Sequence, residues 1–386
     1  SDLEDGLHTG MSGTSMSNPA VAAIALLVKL AIKAAAAVTQ FVFENLPFAV
    51  KAILMSSAKD LGVPAWFQGV GLVDASAAVQ LVSSGAGWGW IGRLKAVADA
   101  EDRAYSEAEA AKGQAMARLR EASSSEDDPE ARAEARVALG NAVQTEALKS
   151  FNAARDRELP ALLKALKDPV WLVRFRAAFV LMNFRAPDSV MALAEAGLND
   201  PDPRVRQMAF LALAQQPQTH TVDILLQRAV HDERWDVGVY AAYALARHGD
   251  RSGAARIVSE LSNEDKSARY TAVWLAGQLG VQATTAETEA LSARLSDRGE
   301  RGNIRHLAAA ALSNAADAAP EAVSDRVVTD LLSAAGPENL ALTRTLGKFF
   351  PVAVREQSFI TRLRSEPLKP IVADFVLKNK GALQRP

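Results

Sequence analysis

The heptapeptide Gly13-Thr14-Ser15-Met16-Ser17-Asn18-Pro19 holds the residue best placed for chemistry in this sequence, a serine between a glycine and a proline. Gly13 permits close backbone approach and unusual dihedrals just ahead of Ser15. Pro19 is tolerated only where a helix has barely begun and its amide donors are still unpaired. The spacing therefore puts Ser15 at a helix N-terminus. There the free N–H groups and the positive end of the helix dipole face any negative charge forming beside the hydroxyl. The oxyanion of acyl transfer is such a charge, so Ser15 reads as a candidate nucleophile.

In full the string is GTSMSNPAVAA. It resembles the nucleophile motif of the subtilase family of serine endopeptidases, G-T-S-M-[AS]-x-P followed by a helix of small residues. Two helix positions depart from the commonest pattern, since the family often has His where Ala20 stands and Gly where Ala23 stands. Both lie behind the nucleophile and bear on helix packing. After the apolar stretch from Pro19 to Val38 come Leu46-Pro47-Phe48-Ala49-Val50-Lys51-Ala52-Ile53-Leu54, then Ser57-Ala58-Lys59-Asp60-Leu61-Gly62, then Gly69-Val70-Gly71-Leu72-Val73-Asp74-Ala75. This order is similar to the closing segment of a subtilase catalytic domain, and the resemblance covers about the first 84 residues.

What the resemblance implies is an α/β fragment, the C-terminal part of a subtilisin-like domain, acting on protein or peptide substrates without a cofactor. Ser15 would attack a peptide carbonyl after an upstream His takes its proton, the His being oriented by an upstream Asp. The Ser15 N–H and an upstream Asn side chain would hold the oxyanion, while Gly13 and Thr14 line the cleft beside the scissile bond. The family also implies an extracytoplasmic or secreted setting, although any secretion signal would stand ahead of Ser1. Calcium sites of the family would lie mostly upstream, and no ligand loop or metal site is expected in this sequence.

Fourteen residues precede Ser15, too few for the family's Asp and His. His8 lies too near Ser15 to occupy the histidine position and reads as a loop residue. The sequence is thus expected to be the C-terminal portion of a longer protein, with a split or processed enzyme as the other possibility. A serine hydroxyl without a general base is a weak nucleophile at neutral pH, and losing a triad partner costs a subtilisin several orders of magnitude in rate. The isolated chain is expected to be close to inert. The competing expectation is an inactive pseudoprotease, or a scaffold in which the remainder of the chain does the biology.

The elements behind the motif are bounded by composition. At 386 residues with 49% apolar content the chain can bury two or three cores. A net charge of -2 gives no electrostatic reason to expect nucleic acid or anionic membrane. The absence of cysteine excludes disulfides, thiolate metal sites and cysteine catalysis. Pro19 to Val38 is long enough to span a bilayer, but Lys29 and Lys33 interrupt it, and an Ala-rich apolar helix is also what the buried central helix of an α/β domain looks like. No membrane span is expected.

A glycine-rich stretch, Ser83-Ser84-Gly85-Ala86-Gly87-Trp88-Gly89-Trp90, ends the first region. Two polar, Ala- and Glu-rich segments follow, Arg93 to Ala122 and Pro129 to Arg157, parted by Ser123-Ser124-Ser125-Glu126-Asp127-Asp128. They read as a helical hairpin with solvated charged faces, Asp128 capping and Pro129 in the first turn. From about Glu158 the sequence repeats every 32 residues. Asp168, Asp200 and Asp232 form one column, Val173, Val205 and Val237 another, then Ala177, Ala209 and Ala241, then Leu181, Leu213 and Leu245. Each unit puts one apolar stripe on each of two helices, which only stacking can bury. The pattern Asp-Pro-x-x-x-Val-Arg-x-x-Ala resembles HEAT repeats, particularly the short type of phycobilisome lyase-like proteins. Looser copies, with second helices beginning near Asp265, Glu300, Pro337 and Pro367, bring the expectation to about seven helix pairs.

Within the repeats, Arg174 and Arg206 are expected to brace turns by bonding carbonyls or a neighbouring Asp. Trp171, Trp235 and Trp274 are expected in the repeat core, and His220, His231, His248 and His306 lack metal-ligand spacing. The expected organisation is therefore residues 1–84 as the subtilase portion, 85–157 as linker and hairpin, and 158–386 as an all-α HEAT-like solenoid offering a surface to a protein partner.

Overall fold

The computed structural model of the chain describes residues 14–35, 38, 40–60, 72–84, 88–124, 129–279 and 283–318, and in addition 322–324, 326–327 and 330. Gly13, His8, the segment Gly69-Val70-Gly71, the segment from Ser125 to Asp128 and the repeats anticipated near Pro337 and Pro367 lie outside the described residues. The chain divides into two compact units, Ser1–Ala212 and Leu213–Pro386.

The first unit opens with α1 (Thr14–Ala34), α2 (Gln40–Glu44), α3 (Leu46–Ser56) and α4 (Ala75–Ser83). Val28 and Ile32, one turn apart, are fully buried in α1. α3 meets α1 and α4 through Ala49, Val50, Ala52 and Ile53, and α4 contributes Ala78 and Val82. Asp74 caps α4 by accepting the Ala77 amide at 2.8 Å.

No strand forms among the described residues, which corrects the expectation of an α/β fragment. The sole pairing there is an antiparallel bridge between Lys59 and Leu72, closed by two backbone bonds of 2.9 Å. A strand needs a neighbour for its N–H and C=O groups. The apolar run Leu46–Ser56 instead satisfies its backbone internally as a helix, with Pro47 in the first turn where its missing N–H costs nothing. The comparison of α1 with a fully buried central helix is corrected too, because Leu26, Leu27 and Leu30 are more than half exposed. No helix among the described residues is long and apolar enough to cross a membrane.

α5 (Gly89–Ser124) and α6 (Pro129–Ala165) follow as two long antiparallel helices. Arg103 grips Glu158 with two bonds of 2.9 and 2.8 Å, and Ser150 Oγ donates to the Glu107 carbonyl. Trp88 and Trp90 are buried at the base of the pair, and α5 already begins at Gly89. α6 runs through Pro160 to Ala165, so the second helix of this pair continues into the first helix of the repeats.

α7 (Trp171–Phe184), α8 (Val190–Asn199) and α9 (Pro203–Leu213) continue the array. α10 (His220–Ala229), α11 (Trp235–Arg247), α12 (Arg251–Glu260), α13 (Lys266–Gly277), α14 (Thr285–Ser296) and α15 (Gly302–Ala318) belong to the second unit. Every member of the valine, alanine and leucine columns is fully buried, as stacking of amphipathic helix pairs requires. In the second unit α11 is buried all round from Asp236 to Ala246. α12 approaches it so closely at Gly253 that a methyl group there would meet the Ala246 amide nitrogen at 2.7 Å.

Candidate functional site

Ser15 lies in the first turn of α1, which begins at Thr14. An amide in that position has no partner within its own helix. The side chains of Thr14 and Ser15, like the whole of Gly13, fall outside what the structure describes. Further along α1 two surfaces of opposite fate emerge. One edge, Val28 and Ile32, is sealed against the rest of the unit. The opposite one presents Leu26, Leu27 and Leu30 to solvent. On the Val28 side, toward the start of the helix, an open apolar groove of about 370 Å³ runs between α1 and α3, lined by Val21, Ala25, Val50, Leu54, Met55 and Val73.

The base of this region is held by side chains that belong to the repeats. Ser56 closes α3, and the last carbonyls of a helix lack intrahelical donors. Trp171 Nε1–H donates to the Ser56 carbonyl at 3.1 Å, and Arg204 Nη1 donates to the Ala58 carbonyl at 3.2 Å. The Arg204 guanidinium also stacks 3.6 Å from the centre of the Trp171 ring. Asp202 fixes that guanidinium through Nε at 3.0 Å and Nη2 at 2.7 Å. Arg93, from the first turns of α5, forks onto Asp168 in the first repeat turn. Trp171, Arg204 and Arg93 were not anticipated in this role. The available signal was a break in the repeat columns, since Leu172 is followed 32 residues later by Arg204 and Trp171 by Pro203.

The repeat arginines brace turns. Arg174 donates to the Asp168 and Pro169 carbonyls at 2.8 and 3.1 Å, and its other edge forks onto Asp200 at 2.6 and 2.8 Å. Arg206 reaches the Asp200 carbonyl at 2.9 Å. In the second unit Arg269 repeats the arrangement, with the Asn263 and Glu264 carbonyls on one side and Glu300 on the other. These bonds hold the guanidinium of Arg174 above the usual arginine range and the Glu300 carboxyl below the usual carboxylate range. Buried forks of this kind order a turn and offer no free group for chemistry.

A histidine-carboxylate pair does occur in the second unit. His248 Nδ1 lies 2.9 Å from Asp223 Oδ1, but Nε2 faces the Leu213 carbonyl at 3.3 Å and the ring is only 4% exposed. Each ring nitrogen thus faces a protein oxygen, and the pair is turned inward. Among the described residues no group of three or more His, Asp or Glu side chains is placed to hold a metal ion.

The chain carries a subtilase-like region and HEAT repeats. The model of the subtilase family matches residues 1–89, and the model of HEAT repeats matches residues 159–237. No curated protein matches the chain. Among solved structures, human deoxyhypusine hydroxylase in complex with glycerol is similar over 69% of this chain and 99% of its own, at 16% identity and a TM-score of 0.29. An engineered protein is similar over 93% of this chain and 99% of its own, at 18% identity and a TM-score of 0.31. With TM-scores this low, neither likeness speaks to the chemistry of this chain.

Proposed function

We propose that the subtilase-like region is the nucleophile-bearing, C-terminal part of a serine endopeptidase, with Ser15 as the attacking residue and Gly13 and Thr14 beside the scissile bond. The observation that carries the reading is the start of α1 at Thr14 within the G-T-S-M-x-x-P motif, which leaves the Ser15 amide among the unpaired donors of a helix N-terminus. The Asp, His and oxyanion Asn of such a site come from polypeptide outside this sequence. The open Leu26, Leu27 and Leu30 face of α1 is the apolar surface on which that polypeptide would pack. The substrate is a protein or peptide, no cofactor takes part, and the HEAT repeats offer their surface to a protein partner.

Fluorophosphonate labelling of the full-length protein tests this reading. Labelling that is abolished by Ser15→Ala supports it. Absence of labelling in a protein that encodes the upstream Asp and His would overturn it. A second reading, a HEAT-repeat scaffold carrying an inactive subtilase-like remnant, is favoured by the HEAT-repeat match over residues 159–237. That reading requires no labelling of Ser15 under any condition.

A further inference from the structure

We propose that Trp171 and Arg204 are positioning residues, through which the first two helical repeats clamp the C-terminal end of α3 and, through α3, the helix that carries Ser15. The functional consequence rests on the reading of Ser15 given above, whereas the clamp itself does not.

Three features separate these side chains from ordinary repeat core. First, one N–H of each is aimed out of the repeats, at backbone carbonyls of the subtilase-like region 115 and 146 residues away in sequence. Second, Arg204 stands in a column occupied by Leu172 in the preceding repeat and by Asp236 in the next, so stacking alone does not call for a guanidinium there. Its side chain is only 8% exposed, and burying that charge is costly unless its donors are filled. Asp202 supplies the counter-charge, the Trp171 face supplies the stack, and the Ala58 carbonyl takes a remaining N–H. Third, the target is the C-terminal end of α3, where Trp171 takes the carbonyl of its last residue, Ser56, and Arg204 takes that of Ala58 just beyond, placing its charge near the negative end of the helix dipole. The repeats thus complete the end of α3: Ser57 and Ala58 take the Ile53, Leu54 and Met55 carbonyls from within the region, and Trp171 takes the Ser56 carbonyl from outside it.

What the clamp positions follows from what α3 touches. α3 packs on α1 and α4, and the chain leaving it enters the Lys59–Leu72 bridge one residue after Ala58. A shift at the Ser56 and Ala58 carbonyls is passed to both. The repeats are therefore a frame on which the subtilase-like region is set.

Amide hydrogen exchange on the full chain tests this without requiring peptidase activity. In Arg204→Gln, protection over residues 52–59 and at Leu72 is expected to fall by about tenfold or more, the worth of a hydrogen bond from a charged donor. Amides of α7 between residues 175 and 184 keep their protection. Arg204→Lys, which keeps the charge, restores part of the loss. Trp171→Phe, which keeps the ring and removes the N–H, gives a smaller loss over the same residues and serves alone if Arg204→Gln fails to fold. Unchanged protection over residues 52–59 in both variants overturns the proposal. So does a loss spread equally over α7, which marks the pair as plain repeat core. Failure of Ser15 to react with a fluorophosphonate would instead overturn the peptidase reading and leave the clamp standing.

Discussion

The valine, alanine and leucine columns of the repeats and the apolar face of α1 are built from the same residue types, yet they end in opposite environments. Val173, Ala177 and Leu181 lose all contact with solvent, while Leu26, Leu27 and Leu30 keep more than half of theirs. In the repeats each stripe has its complement 32 residues along the same chain. α1 has a complement for one edge only, Val28 and Ile32 against α3 and α4. Amphipathic spacing announces that a helix wants cover, whereas the supply of cover depends on what else the polypeptide contains. The repeats are self-sufficient in this sense, and the subtilase-like region is not.

The largest expected effect sharpens the self-sufficient side. Arg174 and Asp200 are both nearly buried and are joined by two short hydrogen bonds. Asp200→Ala strands a buried guanidinium and is expected to cost about 3–5 kcal/mol in urea denaturation. The double variant Arg174→Met with Asp200→Leu, which removes both charges, should recover most of that loss. A cost below about 1 kcal/mol for Asp200→Ala would mean that the turn is held by its backbone alone.

Next in size is a direct contrast between the two apolar surfaces. Leu181→Ala removes a fully buried side chain and should lower stability by about 2–5 kcal/mol. Leu27→Ala, on the open face of α1, should stay within about 0.5 kcal/mol. Equal costs at the two positions would break the comparison, because Leu27 would then have to be covered in solution.

The same contrast explains how far the sequence could be read. A fixed period with three buried columns is redundant information, so the repeat columns were legible from Asp168 to Leu245. The roles of Arg174 and Arg206 as turn braces were legible as well, because the carbonyls they bond lie five or six residues back in the same turn. The secondary structure of the first region was not, since a strand depends on partners that local propensity does not reveal. Trp171 and Arg204 were hidden for a related reason. Their partners, Ser56 and Ala58, offer backbone carbonyls, which any residue possesses and no pattern marks. The breaks in the repeat columns at Trp171 and Pro203 and at Leu172 and Arg204 pointed there.

A smaller effect concerns pH in the second unit. Arg269 holds the Glu300 carboxyl below the usual carboxylate range, chiefly through their shared hydrogen bonds. A group whose folded value is depressed contributes stability that is present above its unfolded value and is lost as pH falls through the folded one. Melting temperature should therefore drop on acidification from neutral pH to about pH 3, and the drop should be shallower in Glu300→Gln. An identical acid slope in that variant would assign the loss to other carboxylates.

The smallest effect has the opposite sign and comes from a carboxyl that burial disfavours. Glu287 completes a capping box with Thr284, its Oε2 accepting the Thr284 amide at 2.6 Å, but Oε1 is buried without a partner. Burial raises its pKa, outweighing the lowering by the Thr284 bonds. A carboxyl raised on folding contributes fully below its unfolded value, and that contribution fades as pH climbs through the folded value. Glu287→Gln keeps an oxygen for the Thr284 amide and discards the charge. At neutral pH it should melt above the parent by an amount worth about 1 kcal/mol or less, and the gap should close on acidification. A lower melting temperature at neutral pH would show that the bond from the Thr284 amide to a full negative charge outweighs desolvation of the carboxylate. The cap would then be as complete as the arginine forks, which fill both oxygens of their carboxylates and leave no such conflict.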